Sequence, residues 1–132
     1  MSGFSPDHAG ADVRVSPNFG PRRGPFRPDM IVLHYTGMAS GEGAEAWLCD
    51  PASEVSSHYL VHKDGRIVQM VRESDRAWHA GKSFWRGHAD INSASALCSS
   101  ILTTVSFIFT GSQNLQLGCR IHQGSQHTHG EC

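Results

Sequence analysis

A histidine closes the apolar run Met30-Ile31-Val32-Leu33, and Tyr35 and the turn pair Thr36-Gly37 follow it. An imidazole at the end of a strand can ligate a metal, move a proton or fix a substrate, and open α/β sheets place their ligands at such strand ends. His34 can equally be a hydrogen-bonded structural residue, and its type alone leaves both readings open. A second histidine lies in Ala77-Trp78-His79-Ala80-Gly81, ahead of Ser83-Phe84-Trp85-Arg86-Gly87. Aromatic side chains in a glycine-rich loop more often wall a pocket than decorate a surface. His58 and His62 sit in a β-prone run, where a half-buried structural role is the plainer reading. The cysteines Cys49, Cys98, Cys119 and Cys132 form no C-x-x-C pair, so neither a zinc ribbon nor a redox motif is indicated.

The elements that must position these groups can be read in outline. The run Met30–His34 reads as a strand buried on both faces, expected at the centre of a sheet. Gly41 to Asp50 reads as a helix with Ser40 as its cap and Pro51 beyond its end. In that helix Ala44, Trp47 and Leu48 share a face, with Trp47 as the core anchor. The runs 56–62 and 66–71 flank Lys63-Asp64-Gly65, and Asp-Gly between two β-branched runs predicts a hairpin that pairs with the Met30–His34 strand. Residues 1–12 read as a flexible arm, and the prolines from Pro17 to Pro25 exclude a helix there.

The chain has 132 residues and a formal charge of −1, room for one domain with one core. That charge argues against nucleic acid or an anionic membrane as partner. No apolar run approaches the length of a membrane span, and the first ten residues hold no signal-like segment, so a cytoplasmic location is the expectation.

Landmarks in register carry a resemblance. They are Ser16-Pro17-Asn18, the strand ending His34-Tyr35-Thr36, Ser57-His58-Tyr59-Leu60-Val61 before Asp64-Gly65, Ala77-Trp78-His79-Ala80-Gly81, and Asp90-Ile91-Asn92-Ser93. Together they resemble the zinc-dependent N-acetylmuramoyl-L-alanine amidases, the type that includes phage T7 lysozyme and the peptidoglycan recognition proteins. The likeness is strongest to amidases that trim muropeptides during wall recycling. It covers residues 13–95, the N-terminal part of such a domain.

The resemblance implies an α/β fold, a mixed central β-sheet flanked by helices with a zinc site at one edge, incomplete here at the C-terminus. His34 matches the first zinc ligand, and His79 and Asn92 match positions lining the substrate groove. The family pattern continues with a strand bearing a catalytic glutamate, a helix, and further ligands. None of these motifs follows Ser95, so the catalytic residues stay unassigned. A catalytic zinc needs three protein ligands and an open position for the water it acidifies. The replacement candidates are His122, His127, His129, Cys119 and Cys132.

Residues 96–132 read as a non-family tail, and codon degeneracy offers a reason. Ser99 to Val105, regrouped one base out of frame, can spell Val-Asn-Pro-Asp-His-Gly, and Thr110 to Asn114 can yield Arg-Phe-Pro-Glu in the same frame. Both resemble the family after its missing strand. The expectation is therefore a muropeptide amidase by descent, truncated or frameshifted after Ser95 and impaired in hydrolysis. A non-catalytic peptidoglycan-binding module or an inactive fragment are the alternatives. The stretch from Gln123 to Gly130 reads as disordered.

Overall fold

The computed structural model describes residues 3–24, 27–101, 106–108 and 118–120. The strands are β1 (Ala11–Val13), β2 (Phe19–Pro21), β3 (Met30–Tyr35), β4 (Tyr59–Val61), β5 (Ile67–Gln69), β6 (Asp75–Ala77), β7 (Ser95–Ser100), β8 (Ser106–Ile108) and β9 (Gly118–Arg120). The helices are α1 (Gly41–Leu48) and α2 (Ile91–Ala94), with a short 3₁₀ turn at Pro51–Ser53. The main sheet runs in the order β1-β5-β4-β7-β3; β2 pairs with β6 and β8 with β9. It is mixed, because β3 and β4 both run parallel to β7 whereas β5 is antiparallel to β4. Among the described residues, no helix is long and apolar enough to cross a membrane.

Local chemistry accounts for α1 and for the hairpin. Ser40 Oγ accepts from the Gly43 N–H and starts α1. The hairpin forms around Lys63-Asp64-Gly65, where Gly65 at φ 92° supplies the left-handed residue that a three-residue loop requires. One sheet face and α1 then close a core of Ala44, Leu48, Leu60, Val68 and Met70.

Five expectations are corrected. The Met30–Tyr35 strand is an edge strand of the described sheet, and Leu33 and Tyr35 are about half exposed (51% and 50%). It pairs with β7 and not with the hairpin, because β7 inserts between them. A strand does follow α2, where only unrelated tail was expected. All six residues of β7 are buried, and small Ser, Ala and Cys side chains suit a strand laddered on both sides. Trp47 is no core anchor: it is 52% exposed, while Ala44 and Leu48 take the buried stripe. Finally, part of the arm at residues 1–12 is fixed. Asp7 exchanges hydrogen bonds with the fully buried Gln69, and β1 pairs in parallel with β5.

His122, His127, His129, Cys132 and the stretch 123–130 lie outside the described residues.

Candidate functional site

Strand parity builds the site. Side chains alternate across a sheet, so Val32 and His34 share one face of β3, with Thr36 just beyond its end, and Ser95, Leu97 and Ser99 share the same face of β7. The register sets Val32 beside Leu97 and His34 beside Ser99. Between this face and α1 opens a cavity of about 550 Å³. Its walls include Ala44, Trp47 and Leu48 from α1, and His79 and Ala80 from the loop after β6. The lining is mostly apolar with a few convergent polar groups, the usual make-up of a small-molecule site.

His34 and His79 therefore border one concavity. Asn92 does not line it. Its side chain lies underneath, 5% exposed, where Oδ1 accepts from the backbone N–H groups of both His79 (3.1 Å) and Ala80 (2.8 Å). Trp78 is also off the cavity, and it faces Gly20 of β2. Phe84 and Trp85, expected to wall a pocket, are instead 72% and 60% exposed. The tight turn Trp85–His88, closed by reciprocal backbone hydrogen bonds, carries them outward.

The groups behind the cavity are held by an arginine that sequence reasoning passed over. Arg22 donates to the carbonyls of Glu73, Asn92, Ser93 and Ser95, tying the segment after β2 to the end of α2 and the start of β7. Nothing in Pro21-Arg22-Arg23 distinguished the half-buried arginine from its exposed neighbour. Burial lowers the Arg22 pKa from its usual value. His58 lies beside it, fully buried, with Nδ1 accepting the Leu97 N–H at 3.0 Å and Nε2 facing the Asp75 carbonyl at 3.1 Å. Burial depresses its pKa to about 4. His79 is depressed to about 4 as well, first by burial and then by the charges of Arg22, Arg76 and His34.

The donor set does not fit a catalytic zinc. His34 and His79 are the cavity's imidazoles, and β7 presents Ser99, not a carboxylate, beside His34. Among the described residues no three His, Cys, Asp or Glu side chains lie close enough to hold a metal ion. A catalytic zinc site takes three such ligands.

A family model described as N-acetylmuramoyl-L-alanine amidase matches residues 24–113. N-acetylmuramoyl-L-alanine amidase A of Achromobacter lyticus is 48% identical over 50 residues, 37% of this chain and 28% of its own. The 1,6-anhydro-N-acetylmuramyl-L-alanine amidase AmpD of Escherichia coli is 32% identical over 100 residues, 63% of this chain and 55% of its own. The chain thus spans about half the length of the AmpD relatives it matches. A crystal structure of AmpD superposes with a TM-score of 0.62 at 30% identity, covering 74% of this chain and 65% of that one. The E. coli amidase AmiD, solved with anhydro-N-acetylmuramic acid-L-Ala-D-gamma-Glu-L-Lys, gives 0.51 at 33% identity, covering 72% and 37%.

Proposed function

Because the chain belongs to the N-acetylmuramoyl-L-alanine amidase family, we propose that its cavity takes the muramyl–L-alanine junction of peptidoglycan fragments, the bond such amidases hydrolyse. The observation that carries this is the meeting of His34 and His79 on one apolar cavity at the C-terminal end of β3. The AmiD structure, with an anhydromuramyl peptide bound, supports the ligand class.

A second reading, binding without turnover, is favoured by Ser99. A hydroxyl there cannot relay a proton as a carboxylate does, and losing a general acid–base costs roughly 10²–10⁴ in rate. A bound zinc would supply a hydroxide nucleophile; among the described residues of this chain, His34 stands where the resemblance places a first ligand, and His79 borders the cavity. Structural zinc in peptides is stabilised by about 10–16 kcal/mol with a full ligand set, and one imidazole provides a small share.

Equilibrium dialysis against zinc, run beside a muramyl-peptide cleavage assay, separates the readings. The expected outcome is weak zinc binding and cleavage no faster than in His34→Ala. Stoichiometric tight zinc, with turnover abolished by His34→Ala, would overturn the second reading and turn attention to His127 and His129. The reading of residues 96–132 as an out-of-frame continuation rests on their composition and on the two family-like strings in one shifted frame. Resequencing the locus past the Ser95 codon tests it, and an unbroken frame there removes it.

A further inference from the structure

The hydrogen bonds of Ser95 fix the chemistry of His79. The Ser95 hydroxyl has one proton, and it donates that proton to the Ile91 carbonyl at 2.7 Å. The same oxygen lies 3.2 Å from His79 Nε2. With its proton committed, Ser95 Oγ can only accept there, so the hydrogen of that contact belongs to the imidazole. His79 is then the Nε2–H tautomer, and Nδ1 is left with a bare lone pair. No hydrogen bond reaches Nδ1 among the described residues, and it is not a buried unpartnered atom. The ring borders the cavity, and Asn92 pins its backbone from below.

We propose that Ser95 is a positioning residue that locks His79 in the Nε2–H form, so that Nδ1 accepts a hydrogen bond from an amide N–H of a muramyl peptide in the cavity. This rests on the muropeptide reading for its ligand but not for its tautomer. The neutral state is favoured independently, since burial and the nearby arginines oppose a second proton on the ring. The serine hydroxyl itself is fully buried, which keeps water from competing for the contact. His58 shows the same logic by another route: the Leu97 N–H occupies Nδ1, so its proton also sits on Nε2 and points to the Asp75 carbonyl. The difference is that His58 spends both nitrogens on the protein, whereas His79 keeps one for the cavity.

The test is long-range ¹H–¹⁵N correlation NMR on the full chain labelled in histidine, first alone and then with muramyl dipeptide. The expected free spectrum shows His79 protonated at Nε2, and added muramyl dipeptide shifts the Nδ1 resonance. Ser95→Ala should give a tautomer mixture and weaken binding about fivefold, near the loss of one neutral hydrogen bond. Ser95→Thr, which keeps the hydroxyl, should restore the Nε2–H form. A free His79 protonated at Nδ1 overturns the proposal, as does a folded Ser95→Ala with unchanged tautomer and affinity. The wild-type spectra decide the tautomer even if that variant fails to fold. Binding that leaves Nδ1 unmoved overturns the acceptor role alone. No binding of muramyl dipeptide overturns the muropeptide reading and the acceptor role with it.

Discussion

At His58 a proton and a strand compete for one lone pair. Nδ1 accepts the Leu97 N–H, so protonating it breaks a β7 contact and places a cation beside Arg22. The folded pKa of about 4 lies below the ordinary 6.5. A histidine depressed in this way stabilises the fold fully above the unfolded pKa, and that contribution is lost as pH falls from about 6.5 towards 4. The shift corresponds to roughly 3 kcal/mol at most. Urea unfolding between pH 7 and pH 4 should show this decline, and His58→Leu should reduce it, leaving the share of the likewise depressed His79, while lowering stability at pH 7. An equal slope in both proteins would remove His58 as the cause. The residue scale is also where reading and structure part most clearly. His34 and His79 were legible because their motifs survive intact. Asn92 was expected to line the groove and lies beneath the loop instead, since a motif cannot show that an amide faces a loop's backbone from below.

At the scale of elements, the start of α1 lies against His62, just beyond β4, through one glycine. A Cβ on Gly41 would collide with the His62 ring. That ring cannot move aside easily, because His62 Nε2 is 2.6 Å from Glu45 and the Arg66 guanidinium lies 3.1 Å away. Glu45 is itself buried, and it also binds Arg14 and Arg66 at 2.9 Å each. Burial works to raise the Glu45 pKa, but the hydrogen bonds from Arg14 and Arg66 outweigh it and hold the carboxylate below its usual range. In an open helix Gly→Ala gains up to ~1 kcal/mol. Here Gly41→Ala should instead destabilise by roughly 2–3 kcal/mol, the range for overpacking. Chemical denaturation checks the sign, and a stabilised variant would show that the ring has room. The helix and the hairpin were predictable from Ser40 and from Asp64-Gly65, because caps and turns are local. Strand β7 was not. Ser95-Ala96-Leu97-Cys98-Ser99-Ser100 shows neither alternation nor a β-branched run, and only pairing on both sides makes it a strand.

At the scale of the whole molecule, inserting β7 between β4 and β3 moves β3 to the rim of the described sheet. The reading of Met30–His34 as a buried strand failed for that reason: its apolar residues are real, but the sheet order is a long-range property that no local pattern encodes. The consequence is an edge strand of six residues in the described sheet, with Leu33 and Tyr35 half exposed on the face away from the cavity. Edge strands with apolar outward residues template pairing with another chain, and natural proteins blunt them with charge, often lysine. The β3 sequence Met30-Ile31-Val32-Leu33-His34-Tyr35 carries no Asp, Glu, Lys or Arg. We therefore expect the purified chain to associate as its concentration rises, with β3 as the contact. Leu33→Lys should suppress this, because a lysine must then be desolvated in any edge-to-edge pair. It should leave monomer stability nearly unchanged, since Leu33 is already half in water. The cavity should be spared too, because Leu33 points to the face opposite Val32 and His34. Light scattering across a concentration series, with unfolding measured on the same samples, reads both quantities. Equal association in the wild type and Leu33→Lys would place the contact elsewhere, and Trp85→Ser would then be the next substitution to compare, because Trp85 is among the most exposed aromatic side chains described.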